Sequence, residues 1–233
     1  FYKDMGFLPE ALLNYLGMLG WSMPGGEEKF SLEDMVTDFD LSRITLGAPI
    51  FDIEKLKWLN GLWLRSYDDA KYREKLISWL HEKPSIQDIV PLIKERIDIF
   101  SEMAPMTSFF LEGMPPISLE DFEFASQEKE EIVMILQFSL WSFEVQTDWS
   151  REVIHDSLLS LANNMNLKFR EFLRPIFIAI SGKPVSPPLF DSMAILGSDI
   201  CKARLKHSIE LLGGISKKQM RRLEKKYRDS KVE

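Results

Sequence analysis

Cysteine and histidine, the residues that most often build disulfides and metal centres, are scarce in this chain. Its single cysteine, Cys201, cannot form an internal disulfide, and its three histidines, His81, His155 and His207, lie far apart. No Cys-x-x-Cys or His-x-x-x-His pair occurs, whereas a zinc site needs three or four convergent ligands. We therefore expect no metal site.

Sequence signatures of catalysis and of nucleotide binding are also missing. Adjacent glycines occur only at positions 25–26 and 213–214, and neither pair lies in a Walker or Rossmann phosphate loop. His155 next to Asp156 could suggest a hydrolase, but no Gly-x-Ser-x-Gly elbow is present. We interpret that pair as ordinary surface, and we find no catalytic set in the chain.

Long apolar runs are absent, since no segment approaches the roughly 20 residues that span a bilayer. The first residues, FYKDMGFLPE, lack the positively charged n-region and the apolar h-region of a signal peptide. A lone cysteine fits a reducing compartment. We expect no membrane association and a cytoplasmic location. Because there is no initiator Met and a helical pattern begins almost at once, we also expect the start to be a cut rather than a natural terminus.

Positive charge is in deficit, with a formal net charge of −7 and a pI near 5.2. This balance argues against attraction of nucleic acid to the whole surface, so a polyanion must be met by local basic patches. The last stretch, residues 215–233, holds eight Lys or Arg against three Asp or Glu. It is either a solvated, fraying terminus or a basic helix with a binding role.

Helical periodicity dominates what is present. Apolar residues of the first segment recur at i, i+3, i+4 and i+7 from Leu8 to Leu19, and residues 132–143 are apolar on almost every side, as expected of a buried helix. Ser-x-x-Asp patterns that can cap helix starts occur at Ser31, Ser66, Ser85 and Ser118. Asn-Gly and Asp-Gly hairpin turns and internal repeats are absent, so we predict an all-α fold.

Proline and glycine interrupt the helices at 47–52, 112–118 and 181–188. A helix over residues 169–180 should bend at Pro175 and end at Gly182. We place domain boundaries near residues 67 and 116.

Three stretches carry a family resemblance. FLPEALLNYLGMLGWS (7–22), EEKFSLEDMVTDFDLSRITLGAPIFDIEKLKWLNGLWLR (27–65) and PPLFDSMAILGSDICKARL (187–205) all resemble the bacterial glutamyl-tRNA synthetases, which are class I enzymes. The similarity is dense over residues 5–66, patchy from 67 to 165 and clear again from 168 to 212. In such enzymes the first block directly follows the Lys-x-Ser-Lys-Arg loop of the ATP site.

The resemblance implies a helical stem-contact region over residues 1–66, followed by a two-part α-helical anticodon-binding domain. Its first subdomain would be 67–115, and its second would be 116–233 with the basic tail. It further implies a parent glutamate–tRNA ligase that uses ATP and Mg and has an N-terminal catalytic domain as partner. This chain would bind glutamate isoacceptor tRNA, would be inactive alone, would hold no cofactor, and would be a monomer.

In the stem-contact region the resemblance points to Lys55, Lys57 and Arg65 as contacts to tRNA phosphates, which position RNA without reading sequence. The alternative is that these cations are merely solvated. For Trp58 and Trp63, on the same helix, we favour a core role over an RNA role.

In the anticodon domain the stretch VPLIKERIDIFSEM (90–103) resembles the helix whose arginine meets the last anticodon base, which puts Arg96 there. A guanidinium has only donors, so it satisfies the acceptors of cytosine and opposes the donors of guanine. The alternative is a surface ion pair with Glu95 or Glu102. The turn SGKPVSPPLF (181–190) looks like the element that presents Ser186 and Leu189 to the first bases.

A short basic stripe could lie beside this turn, because Arg170 and Arg174 are four residues apart on one helix.

Three classes of function compete: an RNA-binding part of a ligase, a complete enzyme of unknown type, and a non-catalytic α-helical protein-interaction scaffold. The resemblance favours the first, since a complete enzyme lacks its catalytic set and a solenoid scaffold lacks its repeat.

Overall fold

The computed structural model describes residues 1–45, 47, 49–81, 83–84, 86–124, 127–183 and 187–229. Within these residues the regular structure is helical and no strand occurs, which confirms the all-α prediction. The α-helices are α1 (Pro9–Met18), α2 (Leu32–Asp38), α3 (Ile53–Ser66), α4 (Asp69–His81), α5 (Ile86–Ile93), α6 (Met103–Thr107), α7 (Lys129–Glu144), α8 (Arg151–Asn164), α9 (Phe169–Ser181), α10 (Leu189–Leu196), α11 (Ser198–Leu211) and α12 (Lys217–Asp229).

The chain divides into two compact units, one comprising Tyr2–Lys83 and the other beginning at Pro84. The functional boundaries near residues 67 and 116 stay predictions. No helix among the described residues is long and apolar enough to cross a membrane.

In the first unit α1 packs against α3 and α2. Tyr15, Leu56 and Leu59 form its buried apolar centre. Two asparagines satisfy buried polar groups around this centre. The Asn60 side chain accepts from the Leu8 backbone N–H at 2.8 Å, and the Asn14 side chain accepts from the Trp63 ring N–H at 3.1 Å. Because a buried donor without a partner is costly, these two contacts fix how α1 and α3 meet.

Helix starts agree with the capping patterns in part. At Ser31 the predicted capping box is present, with the Ser31 hydroxyl accepting from the Asp34 N–H at 3.0 Å. The prediction at Ser66 is wrong, because Ser66 is the last residue of α3 and Asp68 instead accepts from the Lys71 N–H at 2.7 Å. Ser118 hydrogen-bonds Asp121, but the segment it opens is a 3-10 turn. The prediction at residue 85 lies outside the described residues.

The second unit contains a helical bundle centred on α7, which packs against α8, α9 and α11. Ile135, Leu136 and Phe143 of α7 are fully buried, so the buried helix predicted over 132–143 is confirmed. Cys201 on α11 belongs to the same core and is 0% exposed. Burial raises the pKa of its thiol to about 12.

Gly182 ends α9, as predicted, in the left-handed conformation with φ 70°. Its N–H donates to the Ile178 carbonyl at 2.8 Å, which closes the last turn of the helix. A Cβ at this position would come within 2.9 Å of the Pro115 side chain. Glycine is therefore needed both for backbone conformation and for the close approach of the segment around Pro115.

A smaller apolar cluster lies in the same unit, where Ile89 and Ile93 of α5 pack with Phe109 and Phe110. One buried arginine connects this cluster to the bundle. Arg204 on α11 is 0% exposed and donates to carbonyl oxygens of the 109–113 segment and of α9. Its acceptors are Phe109 at 2.6 Å, Glu112 at 2.5 Å, Gly113 at 3.0 Å and Ile180.

The basic tail is helical as far as Asp229 and packs on the bundle. The Tyr227 ring lies 5.0 Å from the Phe138 ring and 5.2 Å from the Trp141 ring, measured between centroids. Leu223, one turn earlier, also packs against the core. The interpretation of this stretch as a fraying terminus is therefore wrong over residues 217–229.

Candidate nucleic-acid interface

Arg96 lies on the surface, in the turn that follows α5. The Arg96 N–H donates to the carbonyl of Ile93, the last residue of α5, at 2.8 Å. The side chain is exposed. In the part of the chain that the structure describes, it forms no ion pair with Glu95 or Glu102, and Glu102 instead accepts from the Asp98 N–H at 2.8 Å. The guanidinium is thus available to an outside acceptor.

An apolar groove of about 730 Å³ lies beside this turn, between α5 and the start of α6. Its lining is mostly aliphatic, with one aromatic ring, and consists of Ile86, Val90, Ile93, Lys94, Ile97, Asp98, Ile99, Phe100 and Met103. Phe100 is 93% exposed, an unusual position for a large apolar ring. Unpaired nucleobases stack on such exposed rings. Sequence reasoning missed Phe100, because periodicity does not show which apolar residues remain uncovered.

The second predicted anticodon element contacts α6 near its start. Lys183, just after α9, donates through its ammonium group to the Pro105 carbonyl of α6 and lies 3.4 Å from the Ser108 hydroxyl. Arg204 joins the Ile180 carbonyl to the Phe109 carbonyl. Segments separated by more than 70 residues in sequence are therefore held together. The positions of Lys183 and Arg204 could not be read from the sequence.

Of the two residues predicted to present the first anticodon bases, Ser186 lies outside the described residues. Leu189 begins α10 and its side chain is 3% exposed, packed in the bundle core. The Leu189 side chain therefore packs within the protein, and the contact of this residue with the first anticodon bases stays a prediction. Any contact from Leu189 to RNA would have to come from its backbone.

Arg170 and Arg174 both lie on α9 with exposed side chains. Their spacing of four residues puts them on one face of the helix, while Phe172, Leu173 and Ile176 point into the core. The structure thus leaves the predicted basic stripe on the surface. Its role in binding phosphate stays a prediction.

Lys55, in the first unit, already has partners. Its ammonium group lies 2.8 Å from a Glu28 carboxylate oxygen and 4.0 Å from the centroid of the Trp58 ring. Trp58 itself is 43% exposed, so the expectation that it belongs to the core is wrong, because the apolar residues described in this unit do not cover that face of α3. Trp63 does pack against the core. The Glu28 carboxylate therefore competes with an incoming phosphate for the Lys55 ammonium group.

Lys57 and Arg65 lie on exposed faces of the same helix. The Lys57 ammonium group pairs with Glu54 at 2.8 Å, a contact open to solvent on both sides, and such pairs contribute at most about 1 kcal/mol. Arg65 is exposed and makes no ion pair with any residue that the structure describes. Asp52 caps the helix as predicted, accepting from the Glu54 and Lys55 N–H groups at 2.9 and 3.1 Å.

Side chains that could bind a metal ion do not converge in the described part of the chain. These residues contain no group of three or more His, Cys, Asp or Glu that could hold a metal ion. His155 lies 2.8 Å from Asp156 and packs edge-on against the Phe169 and Phe190 rings. The His155 ring on α8 thus contacts one aromatic ring from α9 and one from α10.

Comparison with known families matches two parts of the chain. Residues 71–209 match the family described as "Anticodon binding domain". The chain belongs to that anticodon-binding family. Residues 1–58 match the family described as "tRNA synthetases class I (E and Q), catalytic domain". The anticodon-binding match spans α5, the Arg96 turn, the apolar groove and all of α9 and α10, so both predicted anticodon elements fall within it.

Relatives of this anticodon-binding chain are glutamate–tRNA ligases. It is 47% identical over 232 residues to that of Alcanivorax borkumensis and 44% identical over 228 residues to that of Marinobacter nauticus. These matches cover 100% and 97% of this chain but 47% and 46% of the relatives. The chain therefore spans about half the length of the curated relatives it matches, and it corresponds to their C-terminal region.

A solved structure has a similar fold. The glutamate tRNA ligase of Elizabethkingia meningosepticum, crystallised in complex with its amino acid, is 25% identical with a TM-score of 0.50. The match covers 91% of this chain and 43% of that protein. Together with the family match, this likeness does not favour the protein-interaction scaffold.

Proposed function

We propose that this chain is the tRNA-binding C-terminal part of a glutamate–tRNA ligase. The whole ligase would attach glutamate to tRNA using ATP and Mg at an N-terminal catalytic domain. This chain would act as a monomer in the cytoplasm and would recognise the anticodon and inner stem of glutamate isoacceptors. The observation that carries the proposal is that the Phe100 ring and the Arg96 guanidinium, four residues apart in the chain, are both exposed within the anticodon-binding family match.

Chemistry supports this assignment. RNA sequence is read chiefly from unstacked loop bases, by stacking and by hydrogen bonds to their pairing edges. Phe100 offers a stacking surface and Arg96 offers donors to the N3 and O2 acceptors of cytosine, the last base of glutamate anticodons. The four hydrogen bonds of buried Arg204, which we call the Arg204 clamp, and the Lys183 contact hold the neighbouring segments in place. RNA binding therefore costs less conformational entropy.

The cations of the first unit would contribute differently. Lys55, Lys57 and Arg65 would contact phosphates of the inner stem. Arg170 and Arg174 of the second unit would contact phosphates near the anticodon. Such contacts set affinity and its dependence on salt but carry no sequence information. Ser186 and the Leu189 backbone would meet the first anticodon bases.

The test is direct binding of glutamate tRNA to the purified chain over a series of salt concentrations. We expect log affinity to fall linearly with log salt, and we expect transcripts whose anticodon ends in guanine to bind more weakly than those that end in cytosine. Equal binding of both transcripts would contradict anticodon reading. Salt-independent binding would contradict phosphate contact. Glutamate-dependent ATP–pyrophosphate exchange by the chain alone would contradict the assignment of that chemistry to the N-terminal catalytic domain.

A further inference from the structure

Helix α12 divides its side chains between the bundle and solvent. Met220, Leu223 and Tyr227 are the partly buried residues of the helix, and the rest of Lys217–Asp229 is exposed. Tyr227 packs on the Phe138 and Trp141 rings, and its apolar neighbours on α12 are three and four residues apart, so they share one face. The apolar face of α12 therefore packs on the bundle through Leu223 and Tyr227.

The opposite face carries a row of cations. Lys218, Arg221, Lys225 and Arg228 follow one another at intervals of three, four and three residues. At 100° per residue this spacing keeps them on one side of the helix, over a length of about 15 Å. None of the four makes an ion pair with another residue that the structure describes. We call this row the α12 stripe.

Two other cations of the helix are placed differently. Arg222 and Lys226 line a groove of about 940 Å³ together with Glu128, Glu130 and Glu131 at the start of α7. Carboxylates on that side offset their charge and would repel a polyanion. Lys225 of the α12 stripe also lines this groove, whereas Lys218, Arg221 and Arg228 do not, so the charge of these three cations is not offset there.

Charge is strongly segregated along the chain. Helix α12 holds seven Lys or Arg against two Asp or Glu. All other residues hold 22 against 34, a net charge of −12. A polyanion that approaches the protein is therefore repelled by most of it and attracted at this helix, which favours one orientation on encounter.

We propose that the α12 stripe binds the sugar–phosphate backbone of tRNA, as a contact additional to those that read the anticodon. The choice of tRNA as the polyanion rests on the proposed function. An anionic membrane is the less suitable partner, because a helix that binds a membrane surface inserts its apolar face and α12 buries that face in the bundle. Helix α12 lies beyond residues 71–209 of the family match.

The test compares two double variants that remove the same charge. Arg221→Gln with Arg228→Gln removes two of the four stripe charges, at residues that do not line the groove, while leaving Leu223 and Tyr227 in place. Lys71→Gln with Lys206→Gln is the control, because those lysines pair with Glu74 and Glu144 at 3.0 and 3.6 Å on exposed surfaces. Truncation is avoided, since removing α12 would uncover the Phe138 and Trp141 rings. Circular dichroism and thermal melting check that both variants fold.

We expect the stripe variant to bind glutamate tRNA roughly tenfold more weakly at low salt. Its plot of log affinity against log salt should be shallower by about 1.4 to 1.8, as expected for two lost phosphate contacts. The loss should be equal for cytosine- and guanine-ending anticodons, because the backbone is the same. Binding equal to that of the control variant would overturn the inference, while a preserved preference for cytosine would show that the proposed function stands without it.

A second arm separates RNA from lipid. Vesicles of equal parts phosphatidylcholine and phosphatidylserine should retain the stripe variant and the unaltered chain equally poorly. Strong retention of the unaltered chain that the stripe variant loses, with tRNA affinity unchanged, would overturn the inference in favour of a membrane surface. If instead the stripe variant loses tRNA affinity and anticodon preference proves absent, the backbone contact stands and anticodon reading fails.

Discussion

Arg204 donates from Nη2 to the carbonyl oxygen of Phe109 at 2.6 Å, across 95 residues of sequence. The same guanidinium serves three further carbonyls and is fully buried. Burial lowers its pKa to about 10, so it remains charged at neutral pH. A buried charge is tolerated only when it is fully hydrogen-bonded, and four backbone acceptors fulfil this condition.

Replacing Arg204 by Met should lower the free energy of unfolding by at least ~3 kcal/mol, since each buried carbonyl left without a donor costs roughly 1–3 kcal/mol. Arg204→Lys should lose less, because an ammonium group keeps the charge but not the planar fork. Urea denaturation measures both. Lys206→Ala on the same helix is the control and should change stability by less than about 0.5 kcal/mol. A loss for Arg204→Met no larger than for the control would contradict the clamp.

Arg96→Gln should relax discrimination between anticodon stem-loops that end in cytosine and in guanine. Glutamine offers an acceptor as well as donors, so the outward N–H groups of guanine can then be met. One good base contact is worth roughly 1–3 kcal/mol, or about tenfold to a hundredfold in the ratio of affinities. Fluorescence anisotropy with the two labelled stem-loops measures that ratio.

The control for Arg96 is Arg73→Gln, which makes the same change at an exposed arginine of α4. It should leave the ratio as it is in the unaltered chain. An unchanged ratio for Arg96→Gln in a normally folded variant would mean that another residue reads the last base.

Phe100→Ala should weaken stem-loop binding by about 1–3 kcal/mol if a base stacks on the ring, whereas Phe100→Tyr should keep most of the affinity. Stability should hardly change, because the side chain is 93% exposed. Val145→Ala, at an exposed apolar residue of the same unit, is the matched control. Equal affinities for the Phe100 and Val145 variants would remove stacking from the proposal.

Glu28→Gln should strengthen tRNA binding by about twofold to fivefold, the size of an exposed ion pair. The reason is that the carboxylate 2.8 Å from Lys55 then no longer competes with a phosphate for its ammonium group. Glu27→Gln removes the same charge from the neighbouring residue and serves as control. Identical gains for both variants would mean that only net charge matters and that Lys55 does not contact RNA.

The Glu10–Lys75 pair should make the stability of the first unit depend on acid pH. Partial burial opposes ionisation of Glu10, but the hydrogen bond and charge of Lys75, 2.8 Å away, outweigh it and lower the pKa of Glu10 below 4.5. The stabilisation is therefore complete above pH 4.5 and is lost as the pH falls through the lowered pKa. Because both side chains remain partly exposed, it should not exceed about 1 kcal/mol.

Glu10→Gln tests this pair by thermal melting at two pH values. The variant should be less stable than the unaltered chain at pH 7 and equal to it near pH 2. A deficit of the same size at both pH values would indicate lost packing rather than lost charge.

Local sequence signals account for most of the helices and for little of what lies between them. Periodicity located α1, α3 and α7, and Gly182 marked the end of α9, because these features depend on neighbours within one or two turns. Trp58 was placed wrongly and the burial of Leu189 was not foreseen, since a helical pattern identifies an apolar face without showing whether another element covers it. Arg204 was missed because its acceptors are more than 20 residues away in sequence.

The burial of Cys201 has a practical consequence. It is the single cysteine of the chain, it is 0% exposed, and its thiol has a pKa of about 12. Maleimide reagents attack the thiolate, so this side chain should remain unmodified while the protein is folded. A cysteine introduced at an exposed position such as Val145 would then take up one fluorophore per molecule. Cys201 therefore does not have to be removed before a single labelling site is introduced. Resonance energy transfer from a dye at that site to a labelled RNA would then report distances.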